Sequence, residues 1–238
     1  MAEPPTRPLR ALTWNIHACV GADGRHDIAR VGAAVGALAP DIAAFQEVDS
    51  RRPAPGAGRV YDTLRAQVGA HGHDAWSISG HDGHYGQILA SRFPLEDKQV
   101  HDISVAGREP RKVIAARIRL PGTRLRVVAT HLGLCRRERR RQVEALRHII
   151  AADLTDPLLV LGDFNEWFWP QRCQSELFAL LGAWTRHASF PARLPLFPLD
   201  RIACRPGGLL ARSRAVREAR AASDHLPVLA EIALPSPA

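Results

Sequence analysis

The chain has 238 residues, 46% of them hydrophobic and 24% charged, with a formal net charge of +8. This composition supports a sizeable core and excludes wholesale disorder, and no apolar run reaches the length of a membrane-spanning helix. The positive balance favours anionic partners such as phosphoesters, nucleic acid or anionic lipid surfaces.

Met1 to Arg10 carries Pro and Arg but no apolar stretch, so no signal peptide is expected, and the chain reads as one soluble, cytoplasmic domain spanning residues 1–238. Cys19, Cys135, Cys173 and Cys204 stand far apart with no CxxC pair, which argues for reduced thiols and against a structural zinc site. Leu9 to Ile16 reads as the first strand, ending in Trp14-Asn15-Ile16-His17. Asp27 is placed to cap a helix through Leu38, with Ile28, Val31, Val35 and Leu38 at helical spacing. Ile42 to Phe45 is a short buried strand that delivers Gln46-Glu47, and Val60 to Val68 reads as a helix. Trp76 to Ile78 and Tyr85 to Ala90 are expected strands. Lys112 to Leu120 and Leu125 to Ala129, joined at Pro121-Gly122, form a predicted hairpin whose second strand ends in Thr130-His131-Leu132.

Arg136 to Leu154 reads as a helix with Val143, Leu146, Ile149 and Ile150 inward, and its opening run Arg136-Arg137-Glu138-Arg139-Arg140-Arg141 reads as a solvated face or a phosphate-gathering patch. The apolar run Leu158 to Leu161 predicts a core strand closed by Gly162, after which Asp163 and Asn165 at i and i+2 would share one face of extended chain. Ser175 to Leu181 is a short helix and Phe190 to Pro198 is irregular. Leu199 to Ala203 is a strand, Arg205 to Ala222 an exposed loop, and Leu226 to Ile232 the last strand.

Polar residues recur where apolar runs end: Asn15, Glu47, His131, Asp163, Asn165, Asp200, Asp224 and His225. Oxygen-rich sets of this kind suit hard divalent cations such as magnesium or manganese. Each residue alone has a plainer reading as a cap, turn or strand end. Their joint recurrence does not.

From Thr13 to Val228 the chain resembles the endonuclease/exonuclease/phosphatase family of metal-dependent phosphoesterases. The resemblance rests on Thr13-Trp14-Asn15-Ile16, Phe45-Gln46-Glu47-Val48, Tyr85-Gly86-Gln87, Thr130-His131-Leu132, Gly162-Asp163-Phe164-Asn165, Leu199-Asp200-Arg201-Ile202 and Ser223-Asp224-His225-Leu226-Pro227, in the family's order. It implies a four-layer α/β sandwich of two packed mixed β-sheets flanked by helices, and hydrolysis of a phosphoester with Mg2+ or Mn2+. It further implies Asn15, Glu47 and Asp224 as metal ligands and His225, held by Asp200, as the general base. Asp163 and Asn165 would position the water, with Asp163 an alternative base, and His131, Asn165 and Arg111 would contact the substrate phosphate. His17 departs from the Asn or Asp of repair-type members; on an extended strand it would share the metal-facing side. Trp167, Phe168 and Trp169 could form a platform beside Asn165. The substrate stays open among lipid headgroups, inositol phosphates and nucleic acid, with peripheral contact to anionic surfaces possible, and so does a binding module of the same fold without catalysis.

Overall fold

In the computed structural model, residues 7–167 and 174–234 are described. They form β1 (Leu9–Asn15), α1 (Ile28–Leu38), β2 (Ile42–Asp49), α2 (Val60–Val68), β3 (His71–Gly80), β4 (Gly83–Ser91), β5 (Leu95–Asp102) and β6 (Lys112–Leu120). The second half supplies β7 (Thr123–His131), α3 (Arg136–Ala151), β8 (Leu158–Asp163), α4 (Ser175–Leu181), β9 (Ala183–Trp184), β10 (Asp200–Arg205), β11 (Leu210–Ala215) and β12 (Val228–Ile232).

The strands make two six-stranded mixed sheets, ordered β11-β12-β1-β2-β4-β3 and β5-β6-β7-β8-β10-β9. Both sheets have the same plan. A central parallel pair, β1/β2 in one and β7/β8 in the other, is flanked on each side by antiparallel strands. Parallel neighbours need a crossover connection, and α1 and α3 supply it.

Three cores account for four layers. Leu9, Ala11, Ile42 and Ala44 of the first sheet pack with Ile114, Val127, Leu159 and Leu161 of the second. The outer face of the first sheet, through Leu12, Trp14 and Phe45, packs on Val31, Val35 and Leu64 of α1 and α2. The outer face of the second, through Val128 and Val160, packs on Val143, Leu146 and Leu177 of α3 and α4. This explains why β8 is apolar without alternation: it is buried on both faces. The architecture is the expected four-layer sandwich.

Local signals behave as their chemistry predicts. Asp27 caps α1 by accepting from the Arg30 amide at 2.9 Å. Two segments differ from expectation. Within Arg205–Ala222, residues Leu210–Ala215 are strand, not loop, pairing with β12 at the sheet edge; an edge strand needs only one apolar side, so Arg212 and Arg214 disguise it. Leu95–Asp102, for which the sequence offers no clear signal, is also a mostly solvated edge strand. Among the described residues no helix is long and apolar enough to cross a membrane.

Candidate active site

The two central parallel pairs end at the same side of the sandwich. Asn15 closes β1 and Glu47 lies near the end of β2, while His131 and Asp163 close β7 and β8 and are register partners. Because β10 runs antiparallel to β8, its first residue, Asp200, stands opposite Asp163. Because β12 runs antiparallel to β1, the turn before it brings in Ser223, Asp224 and His225: Ser223 Oγ donates to the Asn15 carbonyl at 2.8 Å, and Trp14 Nε1 donates to the His225 carbonyl at 2.9 Å.

The side chains meet across the sheets. Asn15 Nδ2 donates to Glu47 Oε1 at 2.8 Å and to Asp163 Oδ2 at 3.1 Å. His225 Nδ1 lies 2.8 Å from Asp200 Oδ2, and its Nε2 lies 4.0 Å from Asp163 Oδ2. The Phe190 ring packs 4.7 Å from the His225 ring and fixes its plane. On the other side, Arg111 Nη1 approaches His131 Nδ1 at 3.3 Å. His131 Nε2 lies 3.7 Å from Asp163 Oδ2 and 3.9 Å from Glu47 Oε1. Asn165 Nδ2 lies 3.2 Å from that Nε2 and donates to the Leu132 carbonyl at 2.8 Å.

Backbone geometry is specialised here. Glu47 (φ 55°) and Asn165 (φ 50°) occupy the left-handed region, as do His17, Ala18 and Cys19 in succession. Such conformations are costly for non-glycine residues and concentrate at functional sites. At Glu47 they accompany a register shift between β2 and β4, a bulge that re-aims the carboxylate. Gly162 permits β7 and β8 to approach: a Cβ there would lie 2.1 Å from the Thr130 carbonyl oxygen.

Electrostatics follow from burial. Burial raises Asp163 to about 6, with Asp200 adding to the effect and His225 and Asn15 opposing it. Burial alone would lower His225. The charge and hydrogen bond of Asp200, with Asp163 and Asp224, outweigh it and raise the imidazole to about 10. His131 is held well below its ordinary value by burial, by Arg111 and by His225, and is neutral.

Seven of the eight strand-end residues and Arg111 therefore converge. Asp224 is displaced toward the rim: its carboxylate is half-exposed, 3.6 Å from His17 Nδ1. Three details correct the sequence reading. Asn165 joins Asp163 not through extended alternation, since β8 ends at Asp163, but through the left-handed turn in which its amide donates to Asp163 Oδ1 at 2.9 Å. His17 is off the strand, in a short 3-10 turn, where its amide rather than its ring meets Asn15 Oδ1, at 3.1 Å. In the arginine run, Arg136, Arg137, Arg140 and Arg141 are exposed, but Glu138 and Arg139 are buried. Arg139 donates to the Gly133 and Leu134 carbonyls and reaches Glu166, so it braces the turn after His131. Trp167 packs on Phe190 and Phe197 at 5.1 and 5.4 Å; Phe168 and Trp169 lie outside the described residues. Tyr85 lies within electrostatic reach of Glu47 and Arg111. Burial raises its phenol above the ordinary value, as do Glu47 and Glu109, while Arg111 opposes them. Its signal in the sequence is its place in the Tyr85-Gly86-Gln87 segment.

A cation suits this arrangement. Glu47 and Asp163 share the Asn15 amide, Asp163 also accepts from the Asn165 backbone amide and faces the His225 ring at 4.0 Å, and among the described residues neither carboxylate has a Lys or Arg within ion-pair distance. Asp163, Asp200 and His225 also offer ligand atoms within 4.8 Å of one another. In that trio His225 Nδ1 is engaged by Asp200, which makes it a hydrogen-bonded chain. The Glu47 carboxylate is the better seat for a hard ion, with Asn15 able to offer Oδ1 once its amide, whose Nδ2 now faces Glu47, turns over.

With the double sheet and this cluster at its strand ends, the chain belongs to the Endonuclease/Exonuclease/phosphatase family, whose profile matches residues 12–225. It is 37% identical over 164 residues to "Uncharacterized protein YbhP" of Escherichia coli K12, a match covering 64% of this chain and 64% of that one. Among solved structures, the endonuclease/exonuclease/phosphatase from Beutenbergia cavernae superposes with a TM-score of 0.73 at 22% identity, covering 95% of this chain and 72% of the other. The mannosyl-6-phosphatase Bt3783 of Bacteroides thetaiotaomicron does so with 0.70 at 17% identity, over 95% and 100%.

Proposed function

We propose that the chain is a divalent-metal-dependent phosphoesterase that uses water to cleave a phosphodiester or phosphomonoester. The observation that carries this reading is the meeting of Asn15, Glu47, His131, Asp163, Asp200 and His225, from both sheets, at one edge of the sandwich. Asn15 and Glu47, with Asp224 at the rim, are the residues that would hold magnesium or manganese. When bound, that ion would neutralise phosphate oxygens and the charge growing on them.

The chain's own groups divide the remaining work. Arg111 and His131 face the non-bridging phosphate oxygens, and Asn165 and Asp163 position the water. Water oxygen bonds to phosphorus as the ester oxygen departs, and the water proton passes to a base. Asp163, at about 6, is ionised at neutral pH and basic enough to accept it. His225, at about 10, is oriented by Asp200. Asp163 and His225, 4.0 Å apart, are the two candidate acceptors, and the pH profile distinguishes them.

A lipid or inositol phosphoester is the preferred substrate class. Leu194 and Leu196, 67% and 62% exposed, crown the turn that carries Phe190 onto His225, and so place apolar surface beside the cleft. A nucleic-acid substrate is the second reading, favoured by the net charge of +8. The test is a panel of phospholipid vesicles, inositol phosphates, a sugar phosphate, plasmid DNA, abasic DNA and RNA, each with magnesium, with manganese and with EDTA. Hydrolysis that EDTA abolishes is expected. Salt-dependent binding without cleavage under either metal would instead assign an anion-binding module.

A further inference from the structure

β10 has two faces with different occupants. Asp200, Ile202 and Cys204 point between the sheets, whereas Arg201 and Ala203 point outward toward the helices. On that outer side, a cavity of about 360 Å³ opens between the second sheet and α4, lined by Phe178, Trp184, Arg186, Pro198 and Arg201. It is separated from the proposed catalytic cleft by β10 itself.

Arg201 is the unusual feature. It is 1% exposed, and its Nε and Nη2 have no hydrogen-bond partner among the described residues. Its guanidinium lies 5.2 Å from the Phe178 ring centroid. Phe178 stacks on Trp184 at 4.8 Å and 22°, and exposed Arg186 covers Trp184 at 4.8 Å. Two cations therefore frame two stacked rings. The carboxylates that act on Arg201 are committed elsewhere, Glu166 in contact with Arg139 and Asp200 bonded to His225. A π-face covers the guanidinium but offers its N–H groups no acceptor in their plane. Burying such a group is unfavourable unless something supplies those acceptors. Burial, with Arg186, lowers the Arg201 pKa to about 10, so it is charged at neutral pH and needs a counter-ion.

The geometry points to a second binding site in this cavity for a small organic oxyanion, its phosphate or carboxylate on Arg201, with Arg186 adding positive charge at the mouth, and its apolar part along Pro198, Ala179 and the ring edges of Phe178 and Trp184. The site stands independently of the proposed chemistry on the other face of β10. Phenylphosphonate and benzoate carry both recognition features and contain no phosphoester bond.

The experiment is calorimetric titration of the full chain, in EDTA, with each probe, for wild type, Arg186→Ala, Arg201→Met and Arg111→Ala. One-to-one binding of at least one probe is expected, weakened about tenfold or more by Arg201→Met and several-fold by Arg186→Ala, as loss of a charged hydrogen bond predicts. Arg111→Ala, which touches only the catalytic cleft, should change it less than twofold. Which probe binds distinguishes phosphate from carboxylate. Without ligand, Arg201→Met should have an unchanged or higher Tm, because it removes an unpaired buried charge; a structural arginine would give a lower one. The proposal fails if neither probe binds by ~10 mM, a Kd too weak for a formed site, or if Arg111→Ala abolishes binding that Arg186→Ala leaves intact. Should Arg201→Met not fold, Arg186→Ala and Trp184→Leu decide by the same criterion.

Discussion

Asn15 Nδ2 joins the two sheets: it donates 3.1 Å to Asp163 Oδ2 on the far sheet while also donating 2.8 Å to Glu47 on its own. The shared plan of the sheets explains the meeting. Asn15 ends the first strand of one central parallel pair and His131 ends the first strand of the other; Glu47 and Asp163 lie at the ends of the second strands. Each β-α-β unit thus delivers its polar residues to the carboxyl ends of its strands, where ligand sites form in α/β sheets, and packing the sheets face to face brings the two sets together.

Glu47 and Asp163 share the Asn15 amide, and Glu47, unlike Asp163 with His225 at 4.0 Å, has no cation beside it among the described residues. Glu47→Gln should therefore leave the Tm of chelator-treated protein unchanged or raised, by relief of like-charge repulsion. The same substitution should weaken manganese binding by about 10- to 100-fold or more, since it removes a proposed ligand outright. Manganese titration and thermal unfolding in EDTA check both halves.

His225 makes stability depend on pH. Its folded pKa, about 10, lies above its ordinary 6.5, so its contribution is fully present below pH 6.5 and is lost as pH rises through 10. Asp163, raised from 3.8 to about 6, loses its contribution in the same sense between those values. In metal-free protein the Tm should fall between pH 6.5 and 10, and His225→Gln should flatten that interval. A wild-type Tm that rose across it would contradict the Asp200–His225 pairing as the source of the shift.

Loss of either partner in proton handling should be severe. Asp163→Asn and His225→Ala are each expected to reduce kcat by about 10²- to 10⁴-fold, the usual size of acid–base contributions. The pH profile separates their roles. If Asp163 is the acceptor, kcat/KM rises with pH through an apparent pKa near 6 that survives in His225→Ala; a limb that vanishes in that variant returns the role to His225.

Gly162→Ala tests the closeness of β7 and β8. A Cβ placed 2.1 Å from a backbone oxygen must push the strands apart, with an expected cost of about 1–3 kcal/mol, typical of overpacking. Because Asp163 follows directly, activity should fall together with the urea midpoint.

The leucine crown should matter for lipid and not for soluble substrate. Leu194→Ser with Leu196→Ser is expected to lower hydrolysis of vesicle-borne phospholipid about tenfold or more, as loss of buried apolar contact predicts, while a water-soluble phosphoester is turned over at the wild-type rate. Equal loss on both substrates would place these side chains in the cleft's own structure.

Much of this protein is written locally. Helix periodicity, the Asp27 cap and the apolar run of β8 identify core elements, because each reflects interactions within a few residues or burial on a known face. The candidate site was legible for a related reason: its members sit at the ends of apolar runs, and strand ends are where an α/β core meets solvent. Packing sets the relations between residues far apart in the chain. The contact of Asn15 with Asp163, the tuning of His225 by Asp200, the burial of Arg139 within a run of exposed arginines, and the isolation of Arg201 behind Asp200 all depend on which surfaces the two sheets and the outer helices cover. Edge strands such as β5 and β11 escaped for the converse reason, since a strand with one solvated face and one free edge imposes little pattern on its sequence.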